Sequence, residues 1–277
     1  MRVIIFNDIK NFDGCLNLIN KNLPKGEKRF WDINKYIPFL LEKIKSLDKD
    51  KFNEEELELI KTFIYTGRYN SKIIAGIKWS CNNKINEIQE IIDRENELLE
   101  ELSKHRLDEN INKKITAHVK NIISIFSERK QYYIDKINKQ IKNRKGQIKF
   151  FEKIANNPFI DLRTTLLKQA DGEVYQKGVD VKLATDLVNL AHTNSYDIAL
   201  IFGGDSDLVE CVRLVKENLS KTVIVVAYYT DGCPLSSNIS DLKEKASYFL
   251  NLKDLTKDDI EKMSDLRIMK VQEYEQN

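Results

Sequence analysis

Two short acidic segments carry the residues of this chain best suited to chemistry. The first closes the stretch Gln176 to Val212, QKGVDVKLATDLVNLAHTNSYDIALIFGGDSDLVECV, where Asp205 and Asp207 flank Ser206 directly after Gly203-Gly204. Two carboxylates one residue apart at a glycine turn suit a hard, oxygen-seeking cation such as Mg²⁺ or Mn²⁺. Asp and Ser are also the preferred caps of a following helix, and for this segment alone capping is the simpler role. The second segment lies at the start of the chain, where Val3-Ile4-Ile5-Phe6 runs into Asn7-Asp8-Ile9-Lys10-Asn11. Here Asp8 and Asn11 are again good turn formers. Two such segments together weigh more than either alone.

The elements around them place both on one edge. Val181, Leu183, Ala184, Leu187, Val188, Leu190 and Ala191 recur at helical spacing, with Asp180 and Asp186 flanking the start of that helix. Tyr196 to Phe202 is an apolar run of strand length, and Leu208 to Lys216 is helical again. Helix, strand, tight turn and helix predict a parallel α/β sheet. Ligands of such sheets bind beyond the carboxyl ends of the strands, where Asp205, Asp207 and Asp8 all fall. Further strands are expected at Leu57–Tyr65, with basic Arg68 just beyond it, at Phe159–Leu166, and at Lys221–Tyr229 in the sheet centre. Tyr248–Leu250 reads as a last short strand. Asn17 to Glu56 reads as mostly helical, with Pro38 in a bend, Asp231–Pro234 as a turn, and residues 254–277 as a polar tail with one helix.

Composition changes from Lys84 to about Lys153, where isoleucine and leucine keep a helical period with almost no glycine or proline. A polar break near Asp108-Glu109-Asn110 divides this into two long helices, most simply an antiparallel hairpin. Residues 84–110 hold 4 basic and 9 acidic side chains, and residues 112–153 hold 12 basic and 3 acidic. Arms of opposite sign can neutralise one another or form a dimerising coiled coil. Alternatively the basic arm, with Arg129, Lys130, Lys136, Lys139, Lys142, Arg144 and Lys145 near Tyr132 and Tyr133, is a rail for RNA.

Bulk properties exclude several classes. Lys+Arg 45 against Asp+Glu 43 leaves a net charge of +2, so no global field draws in nucleic acid and any basic surface is local. Charged residues at 32% and a mean hydropathy of −0.46 predict a soluble protein, and no apolar run approaches the roughly 18 residues of a membrane span. The first residues reach Asp8 too early for a signal peptide. Four cysteines without CxxC spacing read as reduced thiols of a cytoplasmic protein, and the three histidines lack ligand spacing. No GxGxxG follows a strand, which argues against a dinucleotide-binding protein.

With VIIFNDIKNF, KGVDVKLATDLV and ALIFGGDSDLV in view, the chain resembles the NYN family of PIN-like ribonuclease domains. KTVIVVAYY and SSNISDLKEKASYF resemble the later strand and helix of that family. The resemblance spans roughly residues 1–14, 57–70 and 150–251. It implies a Rossmann-like parallel sheet with helices on both faces, into which the long helical hairpin is inserted. The expected domain comprises 1–83 and 146–253, the insertion 84–145, and the helical tail 254–277.

By position, the resemblance assigns Asp8, Asp180, Asp205 and Asp207 as catalytic and metal-binding residues for Mg²⁺ or Mn²⁺. Asn11, Lys10, Lys177, Ser206 and Arg68 would contact substrate, and Asp186 fits the pattern too, with a purely structural role as its alternative. The implied activity is metal-dependent hydrolysis of RNA phosphodiester bonds, endonucleolytic, on single-stranded RNA. Carboxylates alone would repel an anionic phosphodiester, so such a cluster makes sense only with a cation that inverts the local charge.

Four positions depart from the family pattern. Ile9 and Lys10 stand where small residues are usual, Gly203 where a serine is common, and Ser247 where an aspartate often follows alanine. Lys10 and Ser247 favour the alternative, a non-catalytic RNA-binding or regulatory adaptor acting through the hairpin, with a homodimer or a protein partner held there.

Overall fold

The structure, a computed structural model, describes residues 1–24, 26–52, 55–104, 108–170, 173–203, 205–230 and 237–266. Gly204, the turn Asp231–Pro234 with Cys233, and the tail beyond Leu266 lie outside them. The first half of the chain runs β1 Arg2–Asp8, α1 Ile9–Lys21, β2 Arg29–Trp31, α2 Ile33–Leu47, α3 Lys49–Phe52 and β3 Glu58–Arg68. The long helices α4 Ser71–Lys104 and α5 Glu109–Ala155 follow, then β4 Ile160–Leu166, β5 Lys168–Ala170 and β6 Glu173–Tyr175. The last third holds α6 Val179–His192, β7 Ile198–Phe202, α7 Val209–Glu217, β8 Thr222–Ala227, α8 Ser237–Lys245, β9 Tyr248–Asn251, α9 Lys257–Met263 and β10 Ser264–Leu266.

Six strands form a parallel sheet in the order β4-β3-β1-β7-β8-β9. The register aligns Phe6 with Ile201 and Asn7 with Phe202, so β1 and β7 end side by side. Their apolar runs are buried on both faces, as a parallel sheet with helices on each side requires. Strand alternation sorts the contacts. Ile4, Phe6, Ala199 and Ile201 pack with Leu183 and Leu187 of α6, Val212 and Val215 of α7, and Leu242 of α8. On the other face Phe202 meets the ring of Phe12 from α1 at 4.4 Å and that of Tyr36 from α2 at 6.2 Å. At the opposite end of the strands the Arg2 guanidinium grips Asp197 (2.9 Å) and holds that carboxyl down at about 2.

Several boundaries differ from expectation. Pro38 lies inside α2 rather than in a bend. The apolar face of that helix, with Ile37, Phe39, Leu40 and Ile44 buried, outweighs the local penalty. Helix α6 begins at Val179 after Gly178, whose φ of 78° is left-handed, so Asp180 sits in its first turn and Asp186 well inside it. Strand β8 is interior but next to the β9 edge, the centre being β1 and β7. Strand β9 is not the last, because β10 pairs antiparallel with β2.

Contacts divide the chain into two compact units, one of residues 1–66, 155–164 and 178–277, the other of residues 67–154 and 165–177. In the second unit, Ile73, Ile74, Ile77 and Cys81 of α4 pack with Tyr133, Ile137 and Ile141 of α5. Helix α4 starts at Ser71, well before the Lys84 at which the composition changes. The Asn70 side chain accepts from the Ile73 N–H (2.8 Å) and so caps its first turn. The Gln147 amide holds the foot of α5 by accepting from the Tyr69 N–H (2.9 Å) and donating to the Gly67 carbonyl (2.7 Å). No helix is long and apolar enough to cross a membrane among the described residues.

Candidate active site

Asp8 is the last residue of β1 and points to the α6 face, in step with Ile4 and Phe6. It is 2% exposed. Its two oxygens are occupied: Oδ1 accepts from the Lys10 N–H (2.9 Å) and Oδ2 from Asn11 Nδ2 (3.1 Å). Asp8, expected as a turn former, thus caps α1. A cap alone needs no burial, however, and burial is costly for a carboxylate. Burial raises the Asp8 carboxyl most, the charge of Asp180 adds to the rise, and the neighbouring N–H groups and the Lys10 ammonium partly offset it, which leaves Asp8 at about 6. Asp180 is therefore close enough to Asp8 for their charges to repel.

The remaining acids lie beyond β7. Asp205 Oδ1 accepts from the Asp207 N–H (3.2 Å) and caps a single 3₁₀ turn, Ser206–Leu208, which leads into α7. Ser206 and Asp207 are exposed. Gly203 is not in a left-handed conformation, and a Cβ there would meet only Asn11 Nδ2, at 3.5 Å. That contact brings the end of β7 against the residue that holds Asp8. Asp180 and Asp207 line one groove of about 590 Å³ between α6 and α7, floored by Val181, Ala184, Val188 and Cys211 and reaching His192.

The structure thus brings Asp8, Asn11 and Asp180 together, and puts Asp207 on a groove with Asp180. Lys10 is exposed and acts on Asp8 through its charge and its N–H. Arg68 and Lys177 belong to the other compact unit. There both are exposed, and Gln176 Oε1, one residue before Lys177, accepts from the Gly67 N–H, one residue before Arg68 (3.0 Å). Asp186 has structural partners: its carboxylate accepts from the Tyr65 hydroxyl (3.0 Å) and lies 3.8 Å from Arg163. Ser247 bridges to Val223 at the amino end of β8, through its N–H to the Val223 carbonyl (2.8 Å) and its Oγ from the Val223 N–H (3.1 Å). An acid at position 247 would be remote from the carboxyl edge, so its absence does not weaken the cluster.

Sequence reading missed Asn7 and the groove. Asn7 is buried on the opposite face, where Nδ2 donates to the Tyr36 hydroxyl (2.7 Å) and Oδ1 has no hydrogen-bond partner among the described residues. The groove walls come from two helices, so no local spacing announces them.

No group of three or more His, Cys, Asp or Glu side chains is close enough to hold a metal ion among the described residues. A divalent cation still fits the donor chemistry of the edge. Mg²⁺ is usually held by one or two carboxylates, keeping waters in its other positions, and the mutually repelling Asp8 and Asp180 are such a pair.

A family model described as NYN domain matches residues 109–253. That range opens at the first residue of α5 and ends just after β9. No curated protein matches the chain. Among solved structures, a Vibrio parahaemolyticus protein described as of unknown function is 13% identical, with a TM-score of 0.45, over 95% of this chain and 96% of its own.

Proposed function

Because this chain belongs to the NYN domain family of PIN-like nucleases, we propose that it is a divalent-metal-dependent ribonuclease acting at the carboxyl edge of β1 and β7. The observation that carries this reading is Asp8: a carboxylate buried at a strand end, charge-coupled to Asp180 and pushed up to about 6. A group so placed destabilises the fold unless something positive offsets it, and perturbed acids of this kind concentrate at functional sites. Asp8 and Asp180 would hold the cation, with Asp205 and Asp207 completing the acidic edge. When bound, Mg²⁺ or Mn²⁺ supplies a positive charge for an anionic phosphodiester and a water acidified toward neutral pH.

The chain's own groups have simpler tasks. Asn11 orients Asp8, and the Lys10 ammonium tempers the acidity of the edge. The exposed Ser206 hydroxyl can donate to a phosphate oxygen. Arg68 and Lys177, exposed cations, are assigned to substrate phosphates. Single-stranded RNA is the substrate and cleavage is endonucleolytic in this reading.

Incubation of the chain with end-labelled single-stranded RNA, with Mn²⁺ or Mg²⁺ and with EDTA, beside Asp205→Asn, tests it. Cleavage that needs metal and is lost in the variant supports the assignment. Cleavage that survives both Asp8→Ala and Asp205→Asn sinks the site. One observation favours a second reading, a non-catalytic RNA-binding adaptor: no three potential ligands converge among the described residues. An adaptor would show no rise in melting temperature with Mn²⁺, which a bound ligand must produce by mass action.

A further inference from the structure

Charge in the hairpin is sorted along its length rather than only between its arms. The foot, residues 71–89 of α4 and 129–149 of α5, holds 11 Lys and Arg against 2 Asp and Glu, whereas the far part, residues 90–128, holds 6 against 9. The expected neutralisation of one arm by the other is absent: among the described residues no ion pair joins α4 to α5, and the polar link between them runs from Lys130 Nζ to Gln89 Oε1 (2.5 Å). Lys136 is occupied by Glu173 of β6.

Arg129, Lys139, Lys142, Lys145 and Lys149 are exposed and, among the described residues, have no carboxylate partner. Tyr132 stands among them, 56% exposed. The face of α5 that packs on α4 carries Tyr133, Ile137 and Ile141. Arg129, Tyr132 and Lys139, spaced by three and seven, share another stripe about a third of a turn away. An uncompensated row of cations around an exposed aromatic ring matches the two components of single-strand binding, backbone neutralisation and base stacking.

We propose that the foot of α5, from Arg129 to Lys149, binds the phosphate backbone of single-stranded RNA, with Tyr132 as a stacking surface for a base. The choice of RNA rests on the nuclease reading; the surface itself rests on charge, exposure and unpaired cations. A protein partner fits less well, because the foot carries strong unbalanced charge, and of its three exposed large apolar side chains, Tyr132, Trp79 and Ile148, the first two are rings that can stack on bases.

The test uses the full chain carrying Asp205→Asn, in EDTA, so that hydrolysis does not enter. Anisotropy of a labelled oligouridylate of about 20 nucleotides is followed between about 50 and 200 mM salt. Lys139→Gln/Lys142→Gln should weaken binding about tenfold or more at the lower salt and flatten the log–log salt slope by about 1.4, at about 0.7 per lost contact on a single strand. Tyr132→Ala should weaken binding with the slope unchanged. Lys113→Gln/Lys120→Gln, in the far part, should change affinity less than about twofold.

Equal losses from both lysine pairs, or an unchanged slope in the first, overturn the proposal. A change of molar mass by light scattering in Lys139→Gln/Lys142→Gln with RNA affinity intact overturns it in favour of a second copy of the chain. Helical circular dichroism shows whether each variant is folded, and Lys139→Ala/Lys142→Ala, with higher helix propensity, repeats the test if the glutamine pair is not. The two readings fail separately. Absent cleavage with slope-dependent binding removes the nuclease and leaves this surface, while cleavage of RNA indifferent to Lys139 and Lys142 does the reverse.

Discussion

Asp8→Asn should make this protein more stable at neutral and alkaline pH while abolishing the proposed cleavage of RNA. Burial raises the Asp8 carboxyl from 3.8 to about 6. Ionising it therefore costs more in the folded than in the unfolded chain. The sign follows from linkage: below about pH 3.8 the acid is protonated in both states and contributes nothing. Between 3.8 and about 6 the unfolded chain ionises first, and the wild type loses stability as pH rises. A shift of about 2 units at about 1.4 kcal/mol each puts the full loss near 3 kcal/mol above pH 7. Asparagine keeps the size and can still accept from the Lys10 N–H, but it cannot accept from Asn11 Nδ2 through its own amide nitrogen, which gives back about 1 kcal/mol. The net expectation is a variant about 2 kcal/mol more stable than wild type at pH 8 and about 1 kcal/mol less stable near pH 3.5. Urea unfolding at a series of pH values in EDTA measures both. A stability difference that does not change with pH would refute the burial argument. Saturating Mn²⁺ should stabilise the wild type and leave Asp8→Asn unmoved.

Asp186→Asn should lower stability by about 1 kcal/mol, through the weakened links to Tyr65 and Arg163, and leave RNA cleavage within about twofold; a collapse of cleavage in a folded variant would return Asp186 to the active site. Phe202→Ala should cost about 3–5 kcal/mol in chemical denaturation, because its ring fills the space between Phe12, Trp31 and Tyr36. Gly178→Ala should cost about 1 kcal/mol from its left-handed φ alone, since no atom lies within 4 Å of the added Cβ. Gly203→Ser, by contrast, should change the free energy of unfolding in urea by less than about 0.5 kcal/mol, as its Cβ makes an ordinary contact.

What could be read from the chain itself were features coded locally. The runs Val3–Phe6 and Ile198–Phe202 are apolar at strand length and end in acids, so the edge and Asp8, Asp205 and Asp207 were visible together. The helical period of isoleucines announced the hairpin. Features joining distant segments were not visible. Strands β2 and β10 are three residues each and separated by most of the chain, too short for any pattern. The start of α4 hid behind the exposed stripe of Trp79, Asn82 and Asn83, although Asn70 followed by Ile73, Ile74 and Ile77 carries a capping signal. The environment of a carboxylate is likewise a property of the fold. Asp8 and Asp186 look alike in sequence, yet one is buried beside Asp180 and the other bonded to Tyr65. The balance of charge between the hairpin arms suggested mutual neutralisation, but pairing depends on which side chains face one another, and the acids cluster away from the foot.

The central claim is tested most directly by metal-dependent cleavage of end-labelled single-stranded RNA, wild type against Asp205→Asn. Asparagine keeps the Oδ1 that caps the 3₁₀ turn and removes only the charge. The account predicts cleavage with Mn²⁺ or Mg²⁺, none with EDTA, and a loss of about a hundredfold or more in the folded variant. Equal cleavage by the two proteins, or intact RNA with every metal, would contradict it.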